Sequence, residues 1–209
     1  MIRDDLSDRL IHLTRHGPTL SAAENFVEIF GDGKLVGGSG HIRGGFRCVC
    51  FSEAPIAKLS QILAWPDPDM AGMPYAPFGV IVTKKWLFRQ GGRPVIYQPE
   101  AEYELLHDSQ KYRHVRLEEP GNDRDVTWER EWRVLTDELT LDPVEATLVV
   151  PTRAWEDWFK HKHAAGASAR ARAFGGWMPR NSFVSPWHFI VLEDLGVPIP
   201  DVEPPPERV

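Results

Sequence analysis

Two glutamates separated by one residue are the side chains of this chain that best fit acid chemistry. Glu129 and Glu131 lie in the segment V-T-W-E-R-E-W-R-V-L at residues 126–135. If the segment is extended, the two-residue period of a strand places both carboxylates on one face and tryptophans on the other. Carboxylates held beside apolar rings can orient or deprotonate a substrate hydroxyl. The alternative is a solvated edge strand in which Glu131 pairs with Arg133.

Other polar side chains lie where further strands are predicted. His12 and Thr14 share one face of the first predicted strand. Ser52 ends a strand predicted at residues 46–51. Ligand pockets are commonly built from convergent polar groups, so we expect His12, Ser52 and Glu131 to face one cleft. A structural histidine and a helix-capping serine are the alternatives for the first two side chains.

The elements that must position these residues are short. Strands are predicted at residues 9–14, 46–51, 79–83, 94–97, 131–135, 145–150 and 188–192. Helices are predicted at residues 21–30, from 53 or 54 to 64, at 99–112 and at 154–165, with a loop over 166–180. The first helix has Ser21 as its N-cap and Glu24 at the capping-box position. Strands outnumber helices without alternating with them, which indicates an α+β fold with a mostly antiparallel or mixed sheet.

Composition limits the classes of protein that the chain can belong to. The 209 residues fit one domain over 1–197, followed by a proline-rich tail at 198–209. The net charge of −6 provides no global basic field for nucleic acid. Cys48 and Cys50 are typical of small buried side chains in a reducing compartment. The sequence has neither a signal-peptide pattern nor an apolar run of membrane-spanning length, so we expect a cytoplasmic protein without a membrane partner.

A local basic cluster stands out within this acidic chain. Its members are Lys160, Lys162, Arg170, Arg172 and Arg180. In the loop predicted here, Arg170 and Arg172 could contact the phosphates of a DNA or RNA acceptor, although a plain surface loop is the simpler interpretation. His161 and His163 have no cysteine or acid at zinc-site spacing, so no metal site is predicted.

The order of these polar residues resembles that of the ADP-ribosyltransferases, which carry a His or Arg on an early strand, a Ser, Thr or Tyr at a strand end and a Glu on a late strand. The resemblance implies two small packed sheets, mostly antiparallel, with flanking helices, and NAD as the substrate. It implies that His12 grips the nicotinamide ribose and amide and that Ser52 braces this pocket. The glutamate would hydrogen-bond the ribose 2′-hydroxyl and stabilise the cationic sugar as nicotinamide leaves.

Two groups of motifs carry the resemblance over about residues 10–150. The opening I-H-L-T at residues 11–14, Asn25 with the apolar residues that follow it, and G-K-L at 33–35 resemble toxin-type ADP-ribosyltransferases that modify DNA. C-F-S-E-A-P at 50–55, G-G-R-P-V-I-Y at 91–97 and W-E-R-E-W-R at 128–133 are similar to an uncharacterised bacterial family, some of whose relatives are linked to abortive phage infection of the AbiGi type.

These motifs imply further residues of an NAD site and further partners. Thr14, Asn25 and Tyr97 join His12 and Ser52 as expected NAD contacts. Arg47, Arg93 and Tyr97 are the candidates for an arginine and a tyrosine that the DNA-modifying toxins carry in mid-chain. The glutamate of those toxins is not set in an E-x-E-W-R frame. An antitoxin protein is an expected partner.

Three functions follow as alternatives. The first is an NAD-dependent mono-ADP-ribosyltransferase that modifies a macromolecule, including nucleic acid, in phage defence or a toxin–antitoxin system. The second is an NAD glycohydrolase, and the third is a non-catalytic binding or regulatory module of a defence operon. Glu131 is the favoured catalytic acid because it lies deeper in the apolar strand, whereas Glu129 lies nearer the loop where related enzymes select the acceptor.

Overall fold

The computed structural model describes residues 7–15, 17, 19–40, 42–53, 75–119, 127–173, 184–199 and 203–205. Its strands are β1 Arg9–Leu13, β2 Lys34–Val36, β3 Cys48–Phe51, β4 Gly79–Thr83, β5 Arg93–Pro94, β6 Ile96–Gln98, β7 His114–Arg116, β8 Trp132–Leu135, β9 Glu138–Thr140, β10 Ala146–Val150 and β11 His188–Val191. Its α-helices are α1 Ala22–Asp32, α2 Lys84–Arg89 and α3 Arg153–Ala173. Glu100–Leu105, Asp108–Arg113 and Thr127–Glu129 are short 3₁₀ helices.

The strands form several small sheets in which most strand pairs are antiparallel, which confirms the predicted α+β class. The largest sheet has the order β1-β4-β10-β11, and a second has the order β3-β8-β5. The strands β2 and β9 form one further pair, and β6 and β7 form another. Among the described residues there are thus four sheets where the resemblance implied two. The pairs β10–β11 and β6–β7 are parallel.

Helix α1 shows how local sequence signals fix an element beside the site. The Ser21 side chain accepts the backbone N–H of Glu24, and the Glu24 carboxylate accepts the backbone N–H of Ser21, as the capping box predicts. Gly33 ends the helix in the left-handed region at φ 64°, where a residue without Cβ is favoured. Phe26 is fully buried against Phe78 and Phe159, so α1 is anchored to the core by an aromatic side chain.

Two helical predictions are wrong, for different reasons. The helix predicted at residues 99–112 is two 3₁₀ helices, because the chain turns at His107, whose ring accepts the backbone N–H of Ser109. The loop predicted from residue 166 is instead the continuation of α3 to Ala173. Alanine and arginine dominate this stretch, and their helix propensity outweighs the single glycine at 166. In the described part of the chain, no helix combines the length and apolar content needed to cross a membrane.

The segment around the two glutamates is only partly extended. Thr127–Glu129 is a 3₁₀ helix, and Arg130 has a positive φ of 44°, so the strand β8 begins at Trp132. The expected face shared by Glu129 and Glu131 is therefore interrupted, because a regular two-residue alternation needs extended backbone between them. The helix predicted from residue 53 or 54 falls largely on residues outside those described.

Candidate functional site

The site begins where β1 and β3 separate. These strands share one bridge, in which Ile11 N donates to Ser52 O at 2.8 Å and Ser52 N donates to Ile11 O at 2.7 Å. The ring of His12 forms a hydrogen bond with the backbone carbonyl of Cys50 on β3, two residues before Ser52. The distance between Nδ1 of His12 and this oxygen is 2.8 Å. If the pairing of β1 with β3 continued, a backbone N–H of β1 would donate to this carbonyl. The His12 ring takes that place. The two strands diverge at this histidine.

This contact also fixes the tautomer of His12. A carbonyl oxygen can only accept a hydrogen bond, so Nδ1 of His12 carries the proton. This N–H donates a hydrogen bond to the backbone carbonyl of Cys50. Burial lowers the pKa of His12, and the charge of Arg15 lowers it further, against the opposing effect of the Cys50 hydrogen bond. The neutral form is therefore favoured, and Nε2 keeps a lone pair that can accept a hydrogen bond.

A cleft of about 370 Å³ lies beside His12, between the end of β1, helix α1 and β2. Its lining includes three of the predicted NAD contacts, His12, Thr14 and Asn25. Thr14 is buried and its hydroxyl donates to the carbonyl of Phe78 at 3.2 Å, while Asn25 Nδ2 donates to the carbonyl of Arg15 at 2.9 Å. Both polar side chains therefore brace the backbone that carries His12.

The charged residues of this cleft have both signs. Arg15 and Lys34 are its cations, and Glu28 and Asp32 on α1 are its anions. A bond to Glu138 raises the pKa of Lys34, which keeps that amine charged. The cleft can thus offer charge-assisted donors to a phosphate and carboxylate acceptors to sugar hydroxyls.

Ser52 and Glu129 meet at the end of β3. The Ser52 hydroxyl donates to the carbonyl of Glu129 at 2.6 Å, and the backbone N–H of Glu53 donates to the same oxygen at 3.1 Å. The Glu129 carboxylate accepts the hydroxyl of Tyr75, with 2.8 Å between Oη and Oε1. Tyr75 in turn accepts Nη2 of Arg15 at 2.6 Å. Hydrogen bonds therefore connect Glu129 to a residue that lines the cleft.

Glu131 has a different environment. Both of its carboxylate oxygens accept from Arg133, at 2.8 Å from Nε and 3.0 Å from Nη2. The side chains of this pair are only 15% and 5% exposed. The Cys50 thiol donates to the same carboxylate, and the backbone N–H of Glu131 donates to Tyr97 at 3.1 Å. The predicted pairing of Glu131 with Arg133 is thus present, but it is buried instead of solvated.

The structure brings the predicted site residues together in three groups. His12, Thr14 and Asn25 line the cleft; Ser52 contacts Glu129; and Tyr97 contacts Glu131. Cys50 connects the first and third groups, because its carbonyl bonds His12 and its thiol bonds Glu131. Of the three residues expected to face one cleft, His12 is among the residues that line it, and Ser52 and Glu131 are not.

The arginines suggested by the sequence are placed elsewhere. Arg170 and Arg172 are exposed in the last turn of α3, a helix that contributes no residue to the cleft lining. Arg47 pairs with Asp137, and Arg93 stacks on the ring of Phe88 at 3.8 Å. Neither Arg47 nor Arg93 is among the residues that line the cleft.

Two residues of this network were missed by the sequence analysis. Arg15 directly follows the H-x-T motif, and its position there was an available signal. Tyr75 follows a proline-rich stretch without periodicity, so no local pattern points to it. Its role is visible only from its contacts in three dimensions.

Comparison with known proteins identifies no relative of this chain. No family model, no curated protein and no solved structure matches the chain. The functional assignment therefore depends on the arrangement of the cleft, the bond between Ser52 and Glu129, and the buried pair of Glu131 with Arg133.

Proposed function

We propose that the chain is an NAD-dependent mono-ADP-ribosyltransferase with an ADP-ribosyltransferase-like fold, acting on a macromolecule in phage defence or a toxin–antitoxin system. One observation carries the proposal. The strand of His12, the strand that ends at Ser52 and the strand that follows the glutamates are neighbours in that order, and a cleft opens at His12. This is the order of polar residues that the resemblance requires.

The cleft offers suitable partners for each part of NAD. Its volume of about 370 Å³ is within the range of small-molecule pockets. Nε2 of neutral His12 can accept a hydrogen bond from the carboxamide or from a ribose hydroxyl. Arg15 and Lys34 can bind the diphosphate, and Asp32 can accept from a hydroxyl of the second ribose.

The reaction breaks the bond between C1′ of the ribose and the ring nitrogen of nicotinamide. The electron pair leaves with nicotinamide, whose ring becomes neutral, and the sugar gains positive charge. A nucleophile of the acceptor then supplies a new pair to C1′ and loses its proton. A carboxylate beside the sugar stabilises the cationic state electrostatically, and such contacts are among the largest contributions to catalysis.

Of the two acids, Glu129 has the contacts that suit this role better. Its carboxylate accepts the neutral hydroxyl of Tyr75, and Tyr75 accepts from Arg15, which lines the cleft. Both oxygens of Glu131 instead receive N–H groups of Arg133, which offsets the charge of that carboxylate. Glu131 then serves the reaction indirectly, by holding β8 against Cys50 and Tyr97.

The test uses the purified full chain and NAD labelled on the adenylate phosphate, with cell lysate as the source of acceptors. Nicotinamide release and label on macromolecules are measured for wild type, Glu129→Gln and a control, Glu145→Gln. Glu145 pairs with Arg89 and does not line the cleft. We expect Glu129→Gln to lower nicotinamide release on the order of 100-fold or more, and the control to match wild type.

The outcomes separate the alternatives. Label on a macromolecule supports a transferase, and nicotinamide release without label indicates an NAD glycohydrolase. If the wild type releases no nicotinamide in the presence of lysate, the enzymatic proposal is overturned and a non-catalytic binding module takes its place.

We also propose nucleic acid as the acceptor, with Arg170 and Arg172 as phosphate contacts. Both are exposed on the last turn of α3, where each can reach a phosphate. Labelling of DNA or RNA should fall steeply as salt rises from about 50 to 200 mM, because phosphate contacts release counterions. The double change Arg170→Gln with Arg172→Gln should lower it further and leave nicotinamide release intact. Label found only on protein, without salt dependence, would show a protein acceptor.

A further inference from the structure

Tyr75 lies between the cleft and Glu129. Its hydroxyl is 2.8 Å from Oε1 of Glu129, and Nη2 of Arg15 is 2.6 Å from the same hydroxyl. The guanidinium of Arg15 also lies over the tyrosine ring, 4.4 Å from its centroid. The ring is partly buried and packs against the cluster that contains Ile11 and Leu13 on β1. The position of the phenol is therefore fixed by β1.

The direction of these hydrogen bonds follows from the chemistry of the groups. An ionised carboxylate only accepts, so the single phenol proton must point to Glu129. The lone pairs of the phenol oxygen then accept from Arg15, which only donates. Burial raises the pKa of Tyr75, and the charge of Glu129 raises it further, so the proton stays on the phenol. Arg15, Tyr75 and Glu129 thus form a chain with one direction of donation.

We propose that Tyr75 is a positioning residue, which holds the carboxylate of Glu129 at the reacting sugar and connects it to Arg15 at the cleft. The inference rests on the proposed function, in which Glu129 stabilises the cationic ribose. Tyr75 touches neither the sugar nor the acceptor in this scheme. Its hydroxyl restricts the rotamers of Glu129, and such restriction of a catalytic group raises the rate by pre-organisation.

The test removes one oxygen atom. Tyr75→Phe keeps the packing of the ring and deletes only the donor to Glu129 and the acceptor for Arg15. We expect kcat for nicotinamide release to fall roughly tenfold to hundredfold, the factor for one hydrogen bond to a charged group. KM for NAD should change by less than about threefold, because the phenol does not contact NAD.

A control and a second variant make the result specific. Tyr103→Phe is the matched control, since the ring of Tyr103 also lies under an arginine, 3.8 Å from Arg43. It should retain the wild-type kcat. Arg15→Gln, at an exposed position, loosens the phenol from its other side and should lower kcat in the same direction as Tyr75→Phe.

A double-mutant cycle with Glu129→Gln distinguishes positioning from a general structural effect. If Tyr75 acts through Glu129, Tyr75→Phe should cause no further loss in the Glu129→Gln background. Equal losses in both backgrounds, or a Tyr75→Phe variant with wild-type kcat beside an impaired Glu129→Gln, would overturn this inference and leave the proposed function standing. Absence of nicotinamide release from the wild type would instead overturn the proposed function, and the inference with it.

Discussion

Removal of the Arg133 guanidinium should be among the most destabilising single changes in the described part of the chain. Arg133 donates to both oxygens of Glu131 and to the carbonyls of Tyr112 and His114. In Arg133→Met, the Glu131 carboxylate and both carbonyls lose these donors. Loss of one member of a buried ion pair costs about 3–5 kcal/mol. Because Glu131 is 15% exposed and can gain some hydration, we expect about 3 kcal/mol.

Urea denaturation of the single and double variants measures this value and the coupling within the pair. Glu131→Gln should cost about 2 kcal/mol, and the double variant should cost about 2 kcal/mol less than the sum of the single changes. Arg153→Met is the matched control. Arg153 bonds Asp194 at the same 2.8 Å, but their side chains are 66% and 40% exposed, so it should cost at most about 1 kcal/mol. Equal costs for the buried and exposed arginines would refute the structural role of the pair.

Two further changes test the surroundings of the cleft. In Gly79→Ala, a Cβ would lie 2.5 Å from the carbonyl oxygen of His12, so we expect a loss of about 2 kcal/mol in urea denaturation; Gly166→Ala, whose Cβ would meet only Arg170 at 3.7 Å, should instead gain about 0.5–1 kcal/mol. The pKa of His12 lies below its usual 6.5 in the folded protein, so the unfolded chain binds the proton first as the pH decreases. The free energy of unfolding of the wild type should therefore fall below pH 6.5, by at most about 1.4 kcal/mol per pH unit. His12→Asn, which keeps a donor for Cys50 but does not titrate, should flatten this dependence, and a slope equal to that of wild type would contradict the assignment.

Elements with strong local signals were predicted well from the sequence. Local sequence signals mark both ends of α1. The capping box of Ser21 and Glu24 begins the helix, and the left-handed Gly33 ends it. The strands β4 and β10 are short apolar runs, and their predicted and observed limits differ by at most one residue. In these places the local preference and the tertiary structure agree.

The details of the candidate site depend on contacts that no local pattern encodes. Arg130 adopts a positive φ that arginine rarely takes, and this turn breaks the alternation expected for Glu129 and Glu131. The Arg133 guanidinium is buried, and it also donates to the carbonyls of residues 112 and 114, which are about twenty positions earlier in the sequence. Tyr75 reaches Glu129 across 54 residues of sequence. Long-range packing therefore decided that a phenol contacts Glu129 and that a buried guanidinium contacts Glu131.

The two cysteines of β3 have a consequence for redox chemistry. Burial raises the pKa of the Cys48 thiol to about 11, and burial together with the charge of Glu131 raises that of Cys50 as well. Alkylating agents and peroxides attack the thiolate, so both sulfurs should be nearly inert while β3 remains paired. Modification by iodoacetamide then requires the strand to open, and its rate measures that opening. The chain thus contains a natural chemical probe of local unfolding, and Cys50 lies two residues before Ser52.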